Sequence, residues 1–124
     1  MSQEPPLPHY LVQFTRKKEF CVRLNAPNGD LLLYCMVYAT HSLALAAVAN
    51  VRSLAPIESR YQRTNSARAR FSYRLRDAAG LIVGRGDVHL TAVLRDAAIR
   101  ASMAHGPGAR LADLTSPIGA SPTA

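Results

Sequence analysis

Tryptophan is absent from the 124 residues, cysteine occurs twice and lysine only at positions 17 and 18. Two cysteines cannot build a framework of bridges, and Cys21 and Cys35 lack C-x-x-C spacing. Both fall inside strand-like segments, where a cysteine acts as a small hydrophobic residue, so reduced thiols without chemistry are expected, Cys35 the more buried. No apolar run approaches the roughly 20 residues of a membrane-crossing helix; the longest, LLLYCMVYA, has nine. The opening MSQEPPLPH lacks the basic and apolar regions of a secretory signal, which makes the cytoplasm the expected setting and a membrane partner unexpected.

Residues suited to catalysis are equally sparse. His9, His41, His89 and His105 include no pair at ligand spacing, so no metal is expected. The acids are Glu4, Glu19, Asp30, Glu58, Asp77, Asp87, Asp96 and Asp113. They offer no recurring pair for acid–base work, and Asp30 and Asp77 read as turn residues. Gly84-Arg85-Gly86 resembles part of a phosphate loop, but it lies within a strand and its helix lacks the third glycine. Those glycines are expected to let a helix approach the sheet. No cofactor and no enzymatic activity are expected.

What the chain does hold is a phrase written twice. FCVRLNAPNG at 20–29 returns as FSYRLRDAAG at 71–80, and the two halves align without a gap at an offset of 51. Phe20 matches Phe71, Arg23 matches Arg74, Gly29 matches Gly80, Thr40 matches Thr91 and Pro56 matches Pro107. Matches at turn glycines, helix starts and apolar positions are those that folding constrains. Short first strands are predicted at 10–15 and 61–66, and alternating strands at 20–26 and 71–77. After turns at Gly29 and Gly80, third strands run over 31–38 and 82–89. Thr40 and Thr91 are N-cap candidates for helices near 41–54 and 92–105, which Pro56 and Pro107 end. The domain reading is an arm at 1–9, one domain at 10–115 built of repeats 10–59 and 60–115, and a tail at 116–124.

The hairpin register admits two solutions. A two-residue turn at Asn28-Gly29 sets Val22 opposite Cys35 and Arg23 opposite Tyr34, and in the second unit Tyr73 opposite Gly86. Arg74, Arg76, Arg85 and Asp87 then share the face away from the core. A three-residue loop with Pro27 at its first corner and Gly29 left-handed shifts the pairing by one. It aims Arg85 and Asp87 at the core unless a bulge restores the parity. Burying both charges costs several kcal/mol each, so the first sorting is preferred.

With these residues assembled, the chain resembles the YegP-like family of small bacterial proteins over roughly residues 10–115. The hairpin F-C-V-R-L-N-A-P-N-G-D-L-L, Tyr38 at a strand end, Val48 with Val51 in the helix and the closing ADLT at 112–115 carry the resemblance. Departures are Val22 or Tyr73 at an aromatic position, Met36 or Asp87 at an acidic one, and His41 or Ala92 where a helix opens with lysine. The resemblance implies an α+β fold: two tandem pseudo-symmetric β-β-β-α-β units in one antiparallel sheet, their closing strands exchanged and two helices on one face. It implies no established activity. A lone unit of about 50 residues is too small to bury its sheet face, and two cover each other.

Fifteen Lys and Arg against eight Asp and Glu leave a net charge of +7, the balance of a protein with an anionic partner or simply of a solvated surface. Arg60, Arg63, Arg68, Arg70, Arg74 and Arg76 fall within seventeen residues with no acid between them. Arg68, Arg70, Arg74 and Arg76 share parity, so on a continuous strand they project to one side; a short turn inside 65–70 would break that line. Tyr34, Met36 and Tyr38 are expected on the same outer face, with Arg23 and Arg85. The reading is a non-enzymatic binding module that works through its open sheet face. An unidentified protein partner or self-association is the first expectation, and nucleic acid held by arginines and stacked on tyrosines the second.

Overall fold

The computed structural model describes residues 7–115, so most of the expected arm and all of the expected tail at 116–124 lie outside the described residues. Strands β1 (His9–Phe14), β2 (Phe20–Asn25) and β3 (Leu31–Tyr38) precede helix α1 (His41–Leu54). A single 3-10 turn at Glu58–Arg60 leads to β4 (Tyr61–Ser66), β5 (Arg70–Arg76), β6 (Ile82–Arg85), helix α2 (Ala92–His105) and β7 (Arg110–Asp113). The seven strands form one sheet in the order β4-β5-β6-β3-β2-β1-β7, and the fold is α+β.

Local chemistry places the helices. The Thr40 and Thr91 hydroxyls accept hydrogen bonds from the Leu43 and Leu94 amides, both at 3.1 Å, satisfying donors that the first helical turn leaves free. Both helices end one residue before the residue that precedes a proline, at Leu54 and His105. Between them, alternation along the strands assembles one core. Tyr10, Val12, Val22, Leu24, Leu33, Cys35, Tyr73 and Leu75 point to the side where Ala44, Val48, Val51 and Ile99 of the helices pack.

Three features differ from the sequence reading. The sheet is mixed, because β7 runs parallel to β1 from His9↔Arg110 to Val12↔Asp113. The chain enters β7 beside the start of β1, where the Arg110 amide donates to the Pro8 carbonyl and the Tyr10 hydroxyl to the Gly106 carbonyl, so the two directions coincide. Two β-β-β-α-β units amount to eight strands, and seven form among the described residues, because one strand, β4, occupies the whole span between the 3-10 turn and the next hairpin. The third strand expected at 82–89 stops at Arg85; beyond it the Gly86 amide still donates to the Tyr73 carbonyl, and Phe71 and His89 form an isolated bridge.

The hairpins take the three-residue loop yet keep the arginines sorted as in the two-residue one, whereas Asp87, expected on the same outer face, lines a cleft beside α2 because regular pairing ends at Arg85. Gly29 donates to Ala26 O at 2.9 Å and Gly80 to Asp77 O at 2.9 Å, with φ of 91° and 86°, a left-handed conformation that costs glycine least. A bulge then restores the parity. Leu32 and Leu33 together oppose Leu24, and Val83 and Gly84 together oppose Leu75. Arg23 stays opposite Tyr34 and Arg74 opposite Arg85, with Arg85 exposed. Gly84 and Gly86 do not serve a close helix. A Cβ on Gly84 meets Leu33 Cδ2 at 3.3 Å, and one on Gly86 runs into the Tyr73 ring. That ring crosses β6 so that its hydroxyl donates to Leu32 O on β3.

Candidate binding face

With both helices on one side, no other described element covers the opposite side of the sheet, and register decides what that side displays. Arg74 pairs with Arg85, Arg85 with Tyr34 and Tyr34 with Arg23, so these four residues form one row across β5, β6, β3 and β2. Neighbouring strands lie about 4.8 Å apart, which makes the row roughly 14 Å long. Arg23 Nη2 donates to Gln13 Oε1 at 3.3 Å, while its Nε is buried without a partner. The ion pairs among the described residues are His41–Asp113, Arg63–Glu58, Arg63–Asp96 and Arg95–Asp96, so Arg23, Arg74 and Arg85 face no paired acid. Arg74 and Arg85 sit directly opposite each other, an arrangement that like charges disfavour until an anion joins them.

Tyr34 stands in the row between two arginines. Burial pushes its hydroxyl above the ordinary tyrosine range and Cys21 and Glu19 add to this, against the pull of Arg23. The ring therefore stays neutral near pH 7.

Of the other expected members, Arg70 and Arg76 keep the parity of Arg74 on β5 and so share its face, whereas Tyr38 and Arg68 do not. Met36 is the extra residue of a second bulge, with φ 75°: Cys35 and Met36 together oppose Val22, and Val37 pairs with Cys21. The bulge turns Tyr38 to the helix side, where it pairs with Phe20 and packs against the core. The aromatic–sulfur stripe of Tyr34, Met36 and Tyr38 does not form. Arg68 lies in the turn between β4 and β5, next to Ala69 at φ 53°, so the chain reverses before the parity of Arg68 reaches the sheet. Arg70 begins β5, exposed. Arg76 is engaged by Gln62 Oε1 and Gly80 O. Arg63 turns to Asp96 and Glu58, so the dense run of arginines is divided between two sides of the molecule.

The helix side offers two clefts of about 410 Å³ each. One lies between the Ala26–Leu32 hairpin and α2, the other between the Asp77–Val83 hairpin and α1. Neither brings together a nucleophile and a base. The cysteines project to opposite faces, Cys21 opposite Val37 on the open side and Cys35 in the core. Cys35 is the more buried, at 0% against 6% exposure, and burial, with Cys21 nearby, pushes its thiol up to about 12. Among the described residues no group of three His, Cys, Asp or Glu is placed to hold a metal, and no helix is long and apolar enough to cross a membrane.

One polar constellation escapes sequence reasoning. His41 Nε2 lies 2.6 Å from Asp113 Oδ2, and the Thr115 hydroxyl and amide donate to Asp113 Oδ1. No spacing signals a pair 72 residues apart; only the docking of β7 beside β1 creates it.

No family model matches the sequence. The chain is 30% identical over 97 residues to UPF0339 protein YegP of Escherichia coli (strain K12), covering 78% of this chain and 88% of that protein. The solution NMR structure of yegP from E. coli, a protein of unknown function, superimposes with a TM-score of 0.82 at 25% identity, covering 92% of this chain and 98% of that one. The solution NMR structure of a UPF0339 protein from Shewanella oneidensis gives a TM-score of 0.81 at 26% identity over 87% and 92% of the two chains. Sequence and fold agree, and the chain belongs to the UPF0339 family of YegP.

Proposed function

We propose that this chain is a non-enzymatic, cytoplasmic binding module and that its open sheet face receives an anionic partner. The observation that carries the reading is the row Arg74–Arg85–Tyr34–Arg23, three cations without a paired acid on the side that both helices leave free. We infer further that the architecture is two copies of one unit sharing β4, which closes the first and opens the second. In support, both helices span fourteen residues, each behind a threonine cap, with starts 51 positions apart. In this reading β7 is the closing strand of the second copy, exchanged onto the first.

A protein partner or a second copy held by aromatic side chains is the weaker reading, since Tyr38 faces the helices and leaves Tyr34 as the tyrosine of that stripe on the open face. Retention on immobilised heparin, a generic polyanion, tests the stronger one. Arg23→Ala/Arg74→Ala/Arg85→Ala is compared with Arg16→Ala/Lys17→Ala/Lys18→Ala, which loses the same charge from the β1–β2 loop. The open-face triple variant is expected to elute at clearly lower salt than the loop triple. Equal elution would show that net charge alone is felt and would remove the face as the site.

A further inference from the structure

Resting on that anion-binding reading, we propose that the occupant of the open face is single-stranded nucleic acid, with phosphates on Arg74, Arg85 and Arg23 and a base stacked on Tyr34. The placement of the charges favours a polymer over a compact anion. Three arginine positions stand on a line across four strands, about 14 Å at ordinary strand spacing, a spread that suits successive phosphates of an extended chain. An aromatic ring sits inside the line, between Arg85 and Arg23. Cations on the backbone with an aromatic under a base is the combination by which proteins hold unpaired strands with little sequence preference.

The surrounding face fits an unpaired strand better than a duplex. Arg74 is flanked by Gln62, its pair partner on β4, and Arg23 by Gln13, its hydrogen-bond partner on β1. Neither helix is on this side, so among the described residues no helix is available to enter a major groove, where duplex sequence is usually read. A base freed from pairing can lie flat on Tyr34; a paired one cannot. Arg23 is also pre-aimed by its bond to Gln13, which lessens the ordering required when a phosphate arrives.

The experiment titrates a fluorescein-labelled deoxythymidine 12-mer, and a duplex of the same length, at several salt concentrations. The 12-mer is expected to bind at least tenfold more tightly than the duplex. Its log–log salt slope should be about −2, for three phosphates at roughly 0.7 each. Arg74→Ala/Arg85→Ala should flatten that slope by about 1.4. Tyr34→Leu, which keeps the apolar bulk of a half-buried position, should weaken binding by about 5- to 150-fold, and Tyr34→Phe should restore it. Far-UV circular dichroism melts establish that each variant is folded, and Tyr34→Phe serves if Tyr34→Leu is not. No 12-mer binding at low salt, a preference for the duplex, or equal affinity of wild type and Tyr34→Leu overturns the proposal. Heparin retention that still depends on the three arginines would then leave the anionic face standing, and its loss would bring down both.

Discussion

At the residue scale, one position shows how the two hairpins meet a similar packing problem with different volumes. In the first half Val22 lies opposite the bulged Cys35; in the second Tyr73 lies opposite Gly86, whose amide donates to the Tyr73 carbonyl. A large ring at 73 requires an empty place at 86, and a Cβ there has nowhere to go. Gly86→Ala is therefore expected to destabilise by about 1–3 kcal/mol through overpacking, read as a lower urea midpoint with an unchanged m-value. In a Tyr73→Val background the same change should cost much less, because the two positions are coupled through one clash. An equal cost in both backgrounds would mean that the ring is not the obstacle. Parity arguments reach the members of the candidate row in the same way, since Arg23, Arg74 and Arg85 keep the face that charge sorting assigns them.

Among the elements, capping chemistry made the helices readable. Thr40 and Thr91 ahead of Ala- and Leu-rich runs, with Pro56 and Pro107 behind, mark boundaries that the structure reproduces residue for residue. Gly29 and Gly80 likewise disclose the hairpins. The bulges at Leu32 and Val83 are what a three-residue loop needs if the charges are to stay out of the core, but the one at Met36 leaves no sign in the sequence, because no residue type there demands it. Met36 adopts φ 75°, a conformation methionine does not prefer, so the cause lies in the fit of the strands and not in local propensity. That one residue decides which side Tyr38 faces and hence what the candidate site contains. The latch between α1 and β7 was hidden for a related reason, its partners being brought together only by tertiary docking. Burial raises the Asp113 carboxyl, but hydrogen bonds from the Thr115 hydroxyl and amide, with His41 beside it, leave it below the usual carboxylate range. A carboxyl depressed in the folded state contributes stability that is fully present above its unfolded value near 4 and is lost as pH falls through the folded one. Asp113→Asn is expected to lower the melting temperature at pH 7 and to flatten its decline below about pH 4. Parallel acid limbs for wild type and variant would count against the latch.

On the scale of the whole molecule, the division of labour is between two sides of a single sheet. One side carries both helices and the core, the other only the backbone's own regularity, which spaces side chains at fixed intervals without the help of loops. The outermost pair of strands has a separate consequence, and it is mechanical. β1 and β7 run parallel, so a pull applied before His9 and after Asp113 draws two neighbours past each other lengthwise. The backbone bonds between them, such as Leu114 N to Val12 O at 2.8 Å, then bear the load together instead of opening one at a time. Stretched between handles joined beside residues 7 and 115, the molecule should give way in one high-force event. Leu114→Pro, which removes one of those donors, should lower that force markedly in single-molecule extension, and an unchanged force would locate the resistance elsewhere in the sheet.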